Sequence, residues 1–320
     1  MIQTVRGPVD SADLGPTLVH EHVFVLTADV QRNWPDEWGD EDARVDEAVA
    51  KLSELAGAGV RTIFDPTVAG LGRDIPRIQR IAARVDLHIV VATGLYTYDE
   101  VPNFFRNRGK GLHPDLPEPM VDLFVRDLTE GIAGTGVKAG FLKCAVDERG
   151  MTEGVERVLR AVAQAHLATG APVMVHTHAH SRQGLAVRTV LDQEGVSPSA
   201  VMLAHCGDTD DADYLSELAE AGYLLGMDRF GLETVAPFAQ RVEIVAELCR
   251  RGFAGSMGLA HDTACYIDWA EPAAREWLPQ WNYLHIPNEV LPALRERGVT
   301  DEQIDQMLVA NPARWIAAGR

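Results

Sequence analysis

Six side chains able to bind a metal ion lie in or at the ends of five short apolar runs. They are His20 and His22 in TLVHEHV, Lys143 in GFLKCA, His176 in VMVH, His205 in VMLAH and Asp262 in SMGLAHD. Taken singly, a histidine at such a place is most often a packed or rim residue. Together they ask for a shared partner, because each buried polar group left unpaired costs about 1–3 kcal/mol. A metal centre is the simplest such partner. His20 and His22 are two residues apart, so on a strand both imidazoles face the same way. Histidine with carboxylate ligands suits Zn, Fe, Co or Mn, with availability deciding among them.

Those runs belong to a longer series. Strands are predicted at Thr17–Val23, Val60–Asp65, His88–Gly94, Gly140–Ala145, Val173–His176, Val201–His205, Tyr223–Asp228 and Ser256–Asp262. Helical periodicity fills the gaps. Val45, Val49, Leu52 and Ala56 share one face, and Gly57 and Gly59 stop that helix. Thr152 opens a helix through Val155, Val158, Leu159 and Val162 that Gly170 and Pro172 end. Asp210 and Asp211 open another that Gly222 closes, and Phe238, Val242, Val245 and Cys249 line a further one ended by Gly252. Strand and helix alternating in this way predict an α/β fold, a (β/α)8 TIM barrel in one domain over 1–320. Two connections after strands, Leu95–Met120 and Thr263–Pro287, are longer than closure requires and belong on the C-terminal rim, where barrel active sites are built. The tail, Asn288–Arg320, reads as two or three helices capping the outside.

Composition narrows the partners. Lys plus Arg total 29 against 47 for Asp plus Glu, a net charge of −18 that repels nucleic acid and anionic membrane surfaces. With 46% hydrophobic residues and no low-complexity tract, a large core is expected. No run approaches the roughly 18 apolar residues of a spanning helix. The opening MIQTVRGPVDSADLG lacks the apolar core of a signal peptide. Cys144, Cys206, Cys249 and Cys265 have no CxxC spacing and read as reduced, mostly buried thiols of a cytoplasmic protein.

In order and spacing, LVHEHV, GFLKCA, VMVHTHAH, LAHCGDT, MDRFG and GLAHD resemble the phosphotriesterase-like branch of the amidohydrolase superfamily, over nearly the whole chain. The segments ATGLYTYDEVP (Ala92–Pro102) and GLGRDIPRI (Gly70–Ile78) are similar to its lactonases more than to its triesterases. The resemblance implies two divalent ions, the more buried held by His20, His22 and Asp262 and the more exposed by His176 and His205. Hydroxide and a carboxylated Lys143 would bridge them. A desolvated neutral amine can take up carbon dioxide in this way, whereas an ammonium between two cations would be repelled. The plain alternative is a buried, salt-bridging lysine.

The resemblance further implies that the bridging hydroxide attacks a lactone carbonyl polarised by the more exposed ion. Tyr96 would orient the substrate and donate to its oxygen as charge builds, and Asp262 would pass the proton to the leaving alkoxide. Arg229, Tyr98 and Trp269 would line the pocket. A rim salt bridge for Arg229 and loop packing for the two aromatics are the plain alternatives. Asp208 suits hydrogen bonding behind a ligand or helix capping.

The implied activity is hydrolysis of N-acyl homoserine lactones or related lactones, quenching quorum signals, with weak triesterase activity and a homodimeric state. An organophosphate triesterase is the alternative on the same scaffold. A catalytically silent ligand-binding barrel would have no need of all six metal-binding side chains. His178 and His180 fall in the loop after His176 and are not counted as ligands. His261 neighbours Asp262 on a strand and should face away from the interior. His88, His113, His166 and His285 read as surface or packing residues. Pro16, Cys206 and Thr263-Ala264 depart from the family pattern, the last pair near the pocket, where it bears on substrate size.

Overall fold

Each short apolar run finds a parallel neighbour in the computed structural model, which describes residues 1–318. Eight strands form one sheet: β1 (Thr17–Leu18), β2 (Thr62–Asp65), β3 (His88–Gly94), β4 (Phe141–Val146), β5 (Val173–Thr177), β6 (Val201–Ala204), β7 (Leu224–Met227) and β8 (Met257–Leu259). They are hydrogen-bonded in chain order. The two edges meet where Val19 N–H donates to the Leu259 carbonyl and Asp262 N–H to that of His20, both at 3.1 Å. Pairing across that seam satisfies the edge groups an open sheet would leave exposed. The result is the (β/α)8 barrel that the alternation predicts.

Helices follow the strands: α1 (Glu41–Gly57), α2 (Ile75–Ala82), α3 (Pro119–Thr129), α4 (Glu153–Thr169), α5 (Gln183–Glu194), α6 (Ala212–Glu220), α7 (Phe238–Arg250) and α8 (Leu291–Glu296). The stop and start signals act as their chemistry requires. Thr152 Oγ1 accepts from Val155 N–H at 3.3 Å, Asp211 Oδ1 accepts from Tyr214 N–H at 3.0 Å, and Gly170 takes the left-handed φ of +74° that ends α4. Val45, Leu52, Val155, Val158, Leu159 and Val162 are buried against the sheet as their spacing requires.

Four strands end earlier than their apolar patterns suggest, β7 by a single residue at Met227. After β1 the chain leaves the barrel, and His22–Val25 pairs instead with Ala264–Ile267 in a two-stranded ribbon on the rim. His205 and Asp262, read as strand ends, lie beyond β6 and β8 with left-handed φ of +67° and +53°. Hydrophobic alternation does not register such a turn, because both residues are still buried or nearly so. The tail differs too. Rather than covering the outside, it closes the N-terminal end of the barrel, where Asn311 Nδ2 donates to the Ala254 and Met257 carbonyls at 2.8 Å. Trp315 there packs on Phe64 and Phe141, with ring centroids 5.7 and 5.6 Å away. Gly319 and Arg320, the end of the predicted tail, lie outside the described residues. Among the described residues no helix is long and apolar enough to cross a membrane. Cys144, Cys206, Cys249 and Cys265 are all buried, as their spacing suggests.

Candidate metal centre

The rim turns bring the predicted ligands together. His20, His22, Lys143, His176, His205 and Asp262 line one cavity of about 170 Å³, together with Tyr96, Tyr98, Arg229 and Trp269. On one side, His20 Nε2 and His22 Nε2 each stand 3.3 Å from Asp262 Oδ1. On the other, His205 Nε2 and His176 Nδ1 face each other at 2.8 Å. Two imidazole nitrogens opposed in this way compete for one proton or share one cation. Burial, which disfavours imidazolium, holds His20 down to about 4 and keeps His176 and His205 below their usual range as well. Neutral rings with free lone pairs are what a divalent ion requires.

Lys143 lies between the two groups on β4. Its Nζ is buried with no hydrogen-bond partner among the described residues, an orphaned polar atom in the floor of the cavity. Burial lowers its amine to about 8, so a usable fraction is neutral near physiological pH. Gly94 at the end of β3 makes room for it: a Cβ there would stand 1.8 Å from the Lys143 carbonyl oxygen. The donor set fits metal ions, with two histidines and a carboxylate in one half, two histidines in the other, and an unsatisfied amine between.

The supporting carboxylates are what sequence reading missed. Asp228, one residue before Arg229, accepts from His20 Nδ1 at 2.8 Å and His205 Nδ1 at 3.0 Å. Asp147 Oδ2 meets His176 Nε2 at 2.6 Å, and Asp65 holds Thr67, whose hydroxyl meets His22 Nδ1 at 2.7 Å. Each occupies the ring nitrogen turned from the cavity and so fixes the other nitrogen as a ligand. Asp228, His20 and His205 are close enough to bracket an ion themselves. Their contacts are already hydrogen bonds through Nδ1, however, so we assign Asp228 to holding the rings. The residues adjoining the strand-end motifs offered the signal: Asp65, Asp147 and Asp228 each sit at or just past a strand's C-terminal end.

Glu21 was also passed over. Buried between the two ligand histidines in sequence, it accepts from His261 N–H at 2.8 Å and from its Nδ1 at 2.6 Å. His261 therefore turns away from the cavity, as alternation on the strand suggests. Arg229 donates from Nε to Asp262 Oδ2 and from Nη1 to Asp208 Oδ2, both at 3.0 Å. It lines the cavity and forms an ion pair at once. Burial would raise the Asp262 carboxyl, but the surrounding His20, His205 and Arg229 outweigh it and hold it well below the usual carboxylate range.

Tyr96 Oη lies 3.3 Å from His176 Nδ1 and hydrogen-bonds Tyr98 Oη. Trp269 stacks obliquely on Tyr96 with centroids 5.9 Å apart and is 46% exposed, so these aromatics form the outer wall. His178 bonds Ser181 and His180 packs edge-on against His178, and neither lines the cavity. His166 and His285 are buried packing residues, whereas His113 pairs loosely with Asp115 at the surface.

Fold and cluster together define a (β/α)8 barrel with a candidate metal centre at its C-terminal mouth. The model of the phosphotriesterase family matches residues 1–316, and the chain belongs to that family of hydrolases. A Mycobacterium tuberculosis protein (strain H37Rv) named phosphotriesterase homology protein is 57% identical over 314 residues, covering 98% of this chain and 96% of its own. The aryldialkylphosphatase of Saccharolobus solfataricus (strain P2) is 37% identical over 315 residues, 98% of each chain. The solved structure of the phosphotriesterase from M. tuberculosis superposes with a TM-score of 0.98 at 56% identity, covering 100% of this chain and 99% of that one.

Proposed function

We propose that this chain is a metal-dependent lactonase that opens N-acyl homoserine lactones or related γ- and δ-lactones, with weak triesterase activity. The observation that carries the reading is the Tyr96 hydroxyl set 3.3 Å from His176 Nδ1, under the aromatic wall of Tyr98 and Trp269. His20, His22 and Asp262 would hold one divalent ion and His176 and His205 the other. Lys143, carboxylated on its orphaned Nζ, would lie between them. When bound, two such ions would acidify a water near neutral pH and polarise the substrate oxygen.

The chain's own groups do the rest. Tyr96 Oη donates a hydrogen bond to the carbonyl oxygen as negative charge builds there. Asp262 takes the proton from the attacking water and returns it to the leaving alkoxide, its carboxylate steered by Arg229 Nε. Tyr98 and Trp269 pack on the apolar part of the substrate and exclude water from the reacting carbonyl. Its depressed pKa keeps Asp262 in the ionised form, the only form with a free site for that proton.

A second reading, an organophosphate triesterase, is favoured by the name aryldialkylphosphatase carried by the relative at 37% identity. The deciding measurement is kcat/KM for an N-acyl homoserine lactone and a phosphotriester, side by side, on zinc- or cobalt-loaded protein. A lactone preference of about a hundredfold, roughly 2.7 kcal/mol of transition-state discrimination, supports the lactonase. An equal preference for the triester overturns it in favour of the second reading.

A further inference from the structure

One buried carboxylate touches both halves of the centre. Asp228 follows β7 and is fully buried. Its Oδ2 meets His20 Nδ1 at 2.8 Å, while its Oδ1 meets His205 Nδ1 at 3.0 Å and accepts from the His205 backbone N–H at 2.7 Å. A carboxylate with all three neighbours at hydrogen-bond distance only accepts, so each Nδ1 must carry the ring hydrogen. A neutral imidazole has one such hydrogen, which leaves both Nε2 lone pairs bare. His20 Nε2 then faces Asp262 in one half of the cavity, and His205 Nε2 faces His176 in the other.

The other two ligand histidines each lean on a group that serves no second ligand. His176 leans on Asp147 and His22 on Thr67. The backbone is shaped to allow the shared arrangement. A Cβ on Gly226 would stand 2.5 Å from Asp228 Oδ2 and 3.1 Å from the Ala204 Cα, so glycine leaves the space into which the carboxylate folds back along β7.

We propose that Asp228 is a positioning residue that sets the tautomer of one ligand in each half of the centre, so that both ion sites depend on it. The inference rests on the two-ion reading above. It differs from an ordinary buried hydrogen bond in what it couples: losing Asp228 frees His20 and His205 together, whereas losing Asp147 frees His176 alone.

Two measurements test it. In metal-free wild-type protein with ¹⁵N-labelled histidine, long-range proton–nitrogen spectra should show His20 and His205 both in the Nδ1–H form, assigned by replacing each in turn. The Nε2–H form at either ring overturns the proposal. Separately, Zn²⁺ titration against a competing chelator should show both equivalents weakened in Asp228→Ala, by about 10–100-fold each. Only one equivalent should weaken in Asp147→Ala. A single weakened step in Asp228→Ala overturns the proposal while leaving two ions in place. Should that variant fail to fold, the wild-type spectra decide alone. Wild-type protein that binds fewer than two Zn²⁺ overturns the two-ion reading instead, and the tautomers remain measurable.

Discussion

At the scale of single residues, the centre is a place where the fold holds strain and unsatisfied polarity for chemical use. His205 and Asp262 sit at positive φ without being glycine, a cost of order 1–3 kcal/mol each. Lys143 adds a buried amine with no partner among the described protein groups. Methionine has similar volume and no such group. Metal-free Lys143→Met should therefore be more stable than the wild type by about 1–3 kcal/mol, read as a shifted urea midpoint at unchanged slope. The same change should cost most of the Zn²⁺ capacity. An unmoved or lowered midpoint would show that the amine is already satisfied and weaken the case for its carboxylation.

At the scale of elements, the rim ribbon and the first helices are fastened by one ion-pair cluster. Arg77 of α2 donates from Nε to Glu41 of α1 at 2.8 Å and lies over Trp38 at 4.5 Å, and Trp38 packs edge-on against Phe24. Phe24 belongs to the strand that begins at His22, so the cluster braces a ligand-bearing segment. Partial burial pushes the Glu41 carboxyl up, but hydrogen bonds and charge from Arg77 outweigh it and hold it below its usual value. A depressed carboxylate contributes stability above its unfolded pKa and loses it as pH falls through the folded one. Glu41→Gln should thus lower stability at pH 7. Glu41 is 37% exposed, so solvent screening keeps the loss near 1 kcal/mol rather than the several of a fully buried pair. The gap from wild type should begin to close as pH falls below about 4, the ordinary glutamate range, and vanish once pH has passed the depressed folded-state value. Parallel acid denaturation curves for the two proteins, with the gap intact at low pH, would rule this out.

At the scale of the whole molecule, ligands drawn from β4, β5 and the turns beyond β1, β6 and β8 meet only in the folded barrel, so ion binding and folding are linked. An ion present at 100 to 1,000 times its Kd stabilises the native state by about 3–4 kcal/mol. At about 2.1 cal/mol/K of unfolding entropy per residue, each kcal/mol is worth roughly 1.5 °C in a chain of 320 residues. Removing metal with a chelator should lower Tm by roughly 4–6 °C for each ion lost, and added zinc or cobalt should restore it. A melting curve that neither treatment moves would argue against any resident metal. The charge of −18 belongs to this scale too, since it acts on partners and not on the fold.

Much of the molecule is fixed by local pattern. Eight apolar runs, the caps at Thr152 and Asp211 and the terminating glycines determine the barrel, because burial of short β-branched runs and helix-end chemistry depend on near neighbours in sequence. The ligand candidates His20, His22, Lys143, His176, His205 and Asp262 were legible for the same reason, each standing in or at the end of a short apolar run of sequence. Only the tertiary structure decided how the chain leaves those strands: the rim ribbon from His22, the left-handed turns at His205 and Asp262, and the tail packed under the barrel. It alone also revealed Asp228, Asp147, Asp65 and Glu21. An aspartate after a strand looks like any other until the partner it faces is brought from more than 200 residues away, as His20 is to Asp228 at a separation of 208. Hydrogen bonds of that kind depend on direction and distance in space, which no local pattern of residue types encodes.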